Sequence, residues 1–226
     1  MAPRVGVVVF PGTNCEHDTV TALAGLGAHA ELVWHGATEL AGYDAVVLPG
    51  GFAHGDYLRP GALARFSPVM EPVTRFAAAG GPVVGICNGF QVLTEAGLLP
   101  GALQKNQHLR FVCTTVPLQV TSTRSVLTSG ALEGARLELP VNHFLGSYVC
   151  DRPTLDELRA EGRVVLRYLR NPNGSIDDIA GICNAAGNVV GLMPHPERAC
   201  SDLLGSRDGE VLFRSLLAAA GDRAAA

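Results

Sequence analysis

The residues best suited to chemistry lie in the stretch 82–93, Pro-Val-Val-Gly-Ile-Cys-Asn-Gly-Phe-Gln-Val-Leu, where Cys87 stands between Gly85 and Gly89. Val83, Val84 and Ile86 read as the end of a buried strand, and Asn88 to Ala96 as the start of a helix. A nucleophile framed by glycines at a strand-to-helix turn is the elbow arrangement of hydrolases, here with sulfur in place of a serine oxygen. The turn is tight, so its flanking positions exclude bulk, and glycine meets that requirement. Two effects then act on the sulfur. The helix N-terminus, with unpaired N–H groups and partial positive charge, favours thiolate over thiol. The N–H of Asn88 can point at the oxyanion formed when a carbonyl is attacked. A structural cysteine in an ordinary Gly-rich turn would show the same pentapeptide, so the rest of the chain must decide.

A catalytic thiol needs a base, and the base needs a group that orients it. Of the seven histidines, His195 has the most constrained surroundings: Gly191-Leu-Met-Pro-His-Pro-Glu-Arg198. A strand over Val189–Met193 delivers it to a corner that Pro194 and Pro196 hold out of helix. In an extended segment residues i and i+2 project to one side, so Glu197 can accept a hydrogen bond from one ring nitrogen. That bond would fix the tautomer and leave the other nitrogen facing sulfur. The loop Leu48-Pro49-Gly50-Gly51-Phe52 offers a second oxyanion donor, the N–H of Gly51 or of Phe52.

These groups need a scaffold that gathers distant segments. Residues 4–10 form a Val-rich run suited to a central strand, Cys15 to Leu26 reads as a helix with Asn14 as candidate cap, and His29–Trp34 and Asp44–Leu48 read as strands. A helical stretch over Gly61–Ala79, interrupted near Pro68 or Pro72, precedes the Val83–Ile86 strand. The order β-α-β-β-α-β-α is that of a doubly wound parallel sheet, whose ligands bind at the carboxyl ends of the strands. Three Gly-rich loops fall there: Pro11–Asn14, Pro49–Gly55 and Cys87–Gly89. Beyond about residue 105 the segments Phe111–Val120, Arg136–Val141, Val164–Leu169, Ile179–Cys183 and Val189–Met193 alternate or are strand-like, and read as antiparallel additions to the same sheet. Helices are expected over residues 150–163 and 207–220, with a frayed tail over Ala218–Ala226.

Composition narrows the class. The 226 residues are 47% hydrophobic, ample for a core, and are read as one domain spanning 1–226. No window is apolar for the ~18 residues a membrane span needs, and the N-terminus enters strand pattern without a signal-peptide run, so the expected location is the cytoplasm. A net charge of −4 with no basic run gives no footprint for nucleic acid. The six cysteines are widely spaced, without a Cys-x-x-Cys pair, and are expected as free thiols with no metal site.

Gly-Ile-Cys87-Asn-Gly-Phe-Gln91 together with Pro-His195-Pro-Glu197 resembles the class I glutamine amidotransferases. The resemblance implies a flavodoxin-like, doubly wound, mostly parallel sheet and a triad of Cys87, His195 and Glu197. It also implies an oxyanion hole from Gly51 and Asn88. Gln91 would then help to hold the glutamine substrate, and Asn142 and His143 fall where the family reads the amino-acid end of glutamine. Phe10-Pro-Gly-Thr-Asn-Cys-Glu-His-Asp18, Gly50-Gly-Phe-Ala-His-Gly-Asp-Tyr-Leu-Arg59 and Gly187–Ala199 look like those members that hydrolyse glutamine to feed ammonia to a separate synthetase acting on a purine-precursor ribotide. In such members ATP and Mg belong to the synthetase subunit, and a small accessory subunit bridges the two. This chain itself lacks a Gly-x-x-x-x-Gly-Lys loop. One departure stands out: those members read His-Gly-Glu-Gly where this chain has His143-Phe144-Leu145-Gly146. A thiol hydrolase or a redox-sensing protein on the same scaffold is the alternative reading, since either would share the cysteine elbow.

Overall fold

The computed structural model describes residues 2–224. Its centre is a nine-stranded sheet in the order β2-β1-β3-β4-β11-β10-β9-β6-β7. The first five of these, β2 (His29–Trp34), β1 (Arg4–Val9), β3 (Ala45–Leu48), β4 (Val83–Ile86) and β11 (Val189–Leu192), run parallel to one another. The strands β10 (Ile179–Cys183), β9 (Val164–Tyr168), β6 (Val112–Val120) and β7 (Arg136–His143) extend the sheet by antiparallel pairing. Every residue of β3, β4 and β11 is buried, as a strand covered on both faces requires.

The helices are α1 (Glu16–Gly25), α2 (Met70–Ala78), α3 (Asn88–Glu95), α4 (Arg152–Ala160) and α5 (Gly209–Ala224). Asn14 does not cap α1: Cys15 takes the cap position without a side-chain bond, because the N–H groups of both Asn14 and Cys15 turn to the carbonyl of Gly50 at 3.1 Å. The helix expected from Gly61 shrinks to one short turn at Ala64–Phe66, and α2 begins only beyond Pro68. Pro72 falls in its first turn, where a missing N–H breaks no helical bond. α4 starts where Asp151 accepts the N–H of Thr154 at 3.0 Å. The tail expected from Ala218 is helical as far as Ala224, with Ala220 buried, and the last two positions lie outside the described residues.

Two strands were not legible beforehand. β5 (Ala102–Lys105) and β8 (Leu145–Val149) pair antiparallel as a separate ribbon beside the main sheet. Its Tyr148 is fully buried and stacks on Phe90 of α3, with ring centroids 5.9 Å apart. The ribbon therefore anchors the segment 142–146 over the N-terminus of α3.

Parallel register brings the chemistry together. Gly85 and Ile86 pair with Gly191 and Leu192 on β11, so Cys87 and His195 leave adjacent strands at the same edge of the sheet. Segments 108 positions apart are thus delivered to one place by a single parallel ladder between β4 and β11.

Candidate active site

Cys87 has φ 51° and ψ −104°, a left-handed conformation that L-residues rarely hold and that recurs at strained functional turns. It persists because the surroundings fix it. The N–H of Cys87 donates to the carbonyl of Leu192 at 2.8 Å, and the carbonyl of Cys87 accepts from Gln91 at 3.2 Å. Both flanking glycines are required by close approach rather than by φ. A Cβ on Gly89 would lie 1.9 Å from the carbonyl oxygen of Leu48, and one on Gly85 2.6 Å from the Gly89 backbone.

His195 donates its backbone N–H to Pro140 at 2.8 Å, and its Nδ1 bonds Glu197 Oε1 at 2.6 Å. The pairing expected from sequence forms, but not through an extended segment: His195 is extended and Glu197 lies in the tight turn Pro196–Arg198 that follows. Both residues are buried, and among the described residues the Nε2 of the ring and the Oε2 of the carboxylate have no hydrogen-bond partner. Burial opposes charge on the ring, yet the carboxylate of Glu197 and then the sulfurs of Cys87 and Cys15 overcome it, so His195 titrates well above the ordinary histidine value.

Gly50 marks where these groups converge. A Cβ there would meet the Cε1 of His195 at 2.7 Å, the Sγ of Cys15 at 3.1 Å and the Cβ of Cys87 at 3.5 Å. Cys15 was not singled out by its sequence context, although it lies in the string Phe10–Asp18. Its sulfur sits within 4.8 Å of donor atoms of His195 and Glu197, and Arg198 Nη2 donates to it at 3.2 Å. Arg198 is held in turn by Asp18 at 3.3 Å.

Of the three candidate oxyanion donors, Asn88 and Gly51 keep a free N–H and Phe52 does not. Asn88 occupies the first position of α3, where its N–H has no acceptor in the preceding turn. Gly51 has φ 152°, and a Cβ there would lie 2.7 Å from the backbone of Thr13 and Asn14. No acceptor for the Gly51 N–H occurs among the described residues, whereas the N–H of Phe52 is engaged by Gly12 at 2.8 Å and is unavailable.

The side chains of Asn88 and Gln91 tie the site to its neighbours. Asn88 accepts the N–H of Ala53 at 2.9 Å and donates from Nδ2 to Gln91 Oε1 at 2.8 Å and to Asp56 Oδ1 at 3.2 Å. Gln91 Nε2 donates to the carbonyl of Leu145 at 2.6 Å, and the carbonyl of Phe144 accepts from Asn106 at 2.9 Å. The Phe144-Leu145 departure therefore leaves these contacts intact, because both are made by backbone. Asn142 contributes its carbonyl, 3.9 Å from the Cys87 sulfur.

The His143 ring is turned inward, bound to Asn106 at 3.1 Å and facing Asn173 at 3.4 Å over Gly146. Burial and then the neighbouring charge of His195 push it down to about 4, so it is neutral at physiological pH. A cleft of about 140 Å³ opens onto Cys87 and His195 between Gly51, Asp56, Asn142 and Leu145. A larger hollow of about 600 Å³ lies behind Glu197 and Arg198, but neither Cys87 nor His195 lines it.

Comparisons with known proteins show what the chain is similar to. The family described as the CobB/CobQ-like glutamine amidotransferase domain matches residues 2–208. The chain is 58% identical to "Phosphoribosylformylglycinamidine synthase subunit PurQ" of Rubrobacter xylanophilus, over 96% of this chain and 99% of the relative. The protein of the same name from Parasynechococcus marenigrum is 54% identical over 94% and 99%. Among solved structures, a chain of "Structure of PurLQS from Thermotoga maritima" superposes with a TM-score of 0.89 at 42% identity, covering 96% of this chain and 99% of that one. A family match over residues 2–208, with relatives more than half identical over nearly the full length, assigns this chain to the glutamine amidotransferase family.

Proposed function

We propose that the chain is the glutaminase subunit of a phosphoribosylformylglycinamidine synthase, with residues 1–226 as a single amidotransferase domain. It hydrolyses glutamine to glutamate and passes ammonia to a synthetase subunit, a PurL-like chain joined by a small PurS-like subunit. That partner converts formylglycinamide ribonucleotide to formylglycinamidine ribonucleotide with ATP and Mg in de novo purine synthesis. The relatives' names and the solved complex support the partners. A cytoplasmic location follows from this pathway role and suits cysteines that are all free in the fold.

The observation that carries the reading is the buried His195–Glu197 pair set against the strained Cys87 elbow. Cys87, rather than Cys15, is assigned as nucleophile because it stands at the N-terminus of α3 beside the free N–H of Asn88, whereas the Cys15 sulfur is occupied by Arg198. The thiolate attacks the side-chain amide carbon of glutamine, and the N–H groups of Asn88 and Gly51 stabilise the oxyanion. Each such donor contributes about 3 kcal/mol to lowering the barrier. His195, oriented by Glu197, protonates the departing ammonia, and the γ-glutamyl thioester is then hydrolysed by water that the same ring deprotonates. Glutamine is held by Gln91 and by the backbone of Asn142 and His143.

The test is Cys87→Ala in the assembled synthase. Glutamine-dependent turnover is expected to vanish while added ammonia still supports product formation. Equal loss with both nitrogen sources would overturn the assignment. The alternative of a free-standing thiol hydrolase predicts no association with a synthetase and no trapping of Cys87 by glutamine-like electrophiles.

A further inference from the structure

Behind the cleft, one hydroxyl is shared by two imidazoles. Ser67 is buried, and its Oγ lies 3.3 Å from Nδ1 of His35 and 3.1 Å from Nε2 of His54. The two rings meet edge to face with centroids 5.3 Å apart, and Trp34 packs edge-on against His35 at 4.6 Å. His54 holds φ 53°, in a run where Gly55, Asp56 and Leu58 are also left-handed. A side chain other than glycine is held there only when its surroundings fix it. Here the fixed points are the N–H of His54, donated to Pro11 at 2.6 Å, and its ring on Ser67. The same loop reaches the site. The N–H of Ala53 donates to Asn88 Oδ1 at 2.9 Å, Asp56 accepts from Asn88 Nδ2 at 3.2 Å, and Gly51 carries the second oxyanion N–H.

A hydroxyl has one proton to donate and two lone pairs to accept with. While one ring is neutral, Oγ–H bonds its bare nitrogen and Oγ accepts the N–H of the other ring. A first proton is absorbed by a change of tautomer in the ring that stays neutral. A second is not: Oγ then faces two N–H groups, its own proton has no acceptor in the pair, and two cations stand ring to ring. Burial and then the charge of His54 already hold His35 below the ordinary value of 6.5. No carboxylate among the described residues bonds either ring, and the charged groups of the packed elements are engaged elsewhere. Asp56 bonds Asn88, Arg65 bonds the carbonyl of Glu95, and Glu71 pairs with Arg75. We propose that His35, Ser67 and His54 are positioning residues for glutamine hydrolysis, a latch that holds the loop Gly51–Asp56 against Asn88 only while one of the two rings is neutral, an inference that rests on the glutaminase reading. An open latch frees the loop that carries the Gly51 N–H, so the oxyanion loses a fixed donor while the thiol and its base stay in place.

The experiment measures kcat for glutamine in the full chain assembled with its synthetase partners, from about pH 8 down to about pH 5. Ammonia-dependent product formation is the control for the partner. Ser67→Ala removes the shared hydroxyl, and His54→Asn removes one ring but keeps a residue that tolerates the positive φ. Each variant is expected to lose about 10-fold in kcat at about pH 8, where the unaltered latch is closed. The ratio of unaltered to variant kcat is expected to shrink to within about twofold by about pH 5, where the latch is open in every protein. Titration of His195 and of Asp56 is common to all three proteins and cancels in the ratio. A ratio that stays constant across the range would mean that these side chains only pack the loop, and the proposal would be overturned; so would variants with unaltered kcat at the upper pH. Should Ser67→Ala not fold, His54→Asn carries the same comparison. If the unaltered complex hydrolyses no glutamine at any pH, the glutaminase reading itself fails, and this inference fails with it.

Discussion

Gly50→Ala tests the convergence of the site with the addition of one methyl group. Gly50 lies outside the left-handed region, so alanine meets no backbone penalty there and the effect isolates the contact. The new Cβ would lie 2.7 Å from the Cε1 of His195, and ordinary contact begins at 3.4 Å, so the ring must retreat by about 0.7 Å. It cannot do so freely, because Glu197 holds Nδ1 at 2.6 Å and the backbone N–H is bound to Pro140 at 2.8 Å. Cys15 Sγ, at 3.1 Å from the same point, must also give by a few tenths of an ångström. Displacing a catalytic base by most of an ångström costs about 100-fold in rate, while overpacking a buried site costs about 1–3 kcal/mol of stability. The assay is steady-state glutamine hydrolysis in the assembled synthase, with ammonia-dependent product formation as internal control and thermal denaturation alongside. The expected result is a loss of about 100-fold in kcat with glutamine, full activity with ammonia, and a folded protein. A Gly50→Ala protein with unaltered kcat would mean that the ring does not act from this position, and the reasoning from convergence would be wrong.

Two further outcomes follow from the same contacts. Glu197→Gln keeps the shape of the orienting group but removes its charge; kcat is expected to fall at least about 100-fold, and His195, followed by its ring resonances in NMR, should titrate lower than in the unaltered chain. Unchanged titration would refute Glu197 as the source of the raised value. For Asp56, burial raises the carboxyl from 3.8 to about 6, against the opposing bond from Asn88. A carboxyl raised on folding favours the fold at low pH, and this contribution is lost as pH rises from 3.8 to about 6. The effect is read as the difference in thermal stability between the unaltered chain and Asp56→Asn across this window, which cancels the titration of His143 and His195 in the same cleft. A stability difference that is flat across this window would refute burial as the cause of the raised carboxyl.

The amino-acid sequence alone specified which residue types matter and the local shape around each. Gly85 and Gly89 announced a turn that no side chain could share, and the close approach of Leu48 is the physical reason. Val-rich runs marked the buried parallel strands, because a strand covered on both faces needs apolar residues throughout. Pro194 and Pro196 marked a corner that helix could not enter. Other features had no local signature. β5 and β8 are short and have mixed burial, so neither alternation nor a continuous apolar run declares them. The inward turn of His143 depends on Asn106 and Asn173, which come from separate loops. Cys15 and Asp56 reach the cleft only because the loops after β1 and β3 open at the same sheet edge as Cys87, an adjacency set by strand order. Composition and spacing act over a few residues, whereas proximity between segments 30 to 180 positions apart is decided by backbone pairing, and that pairing is what makes one site of four separate loops.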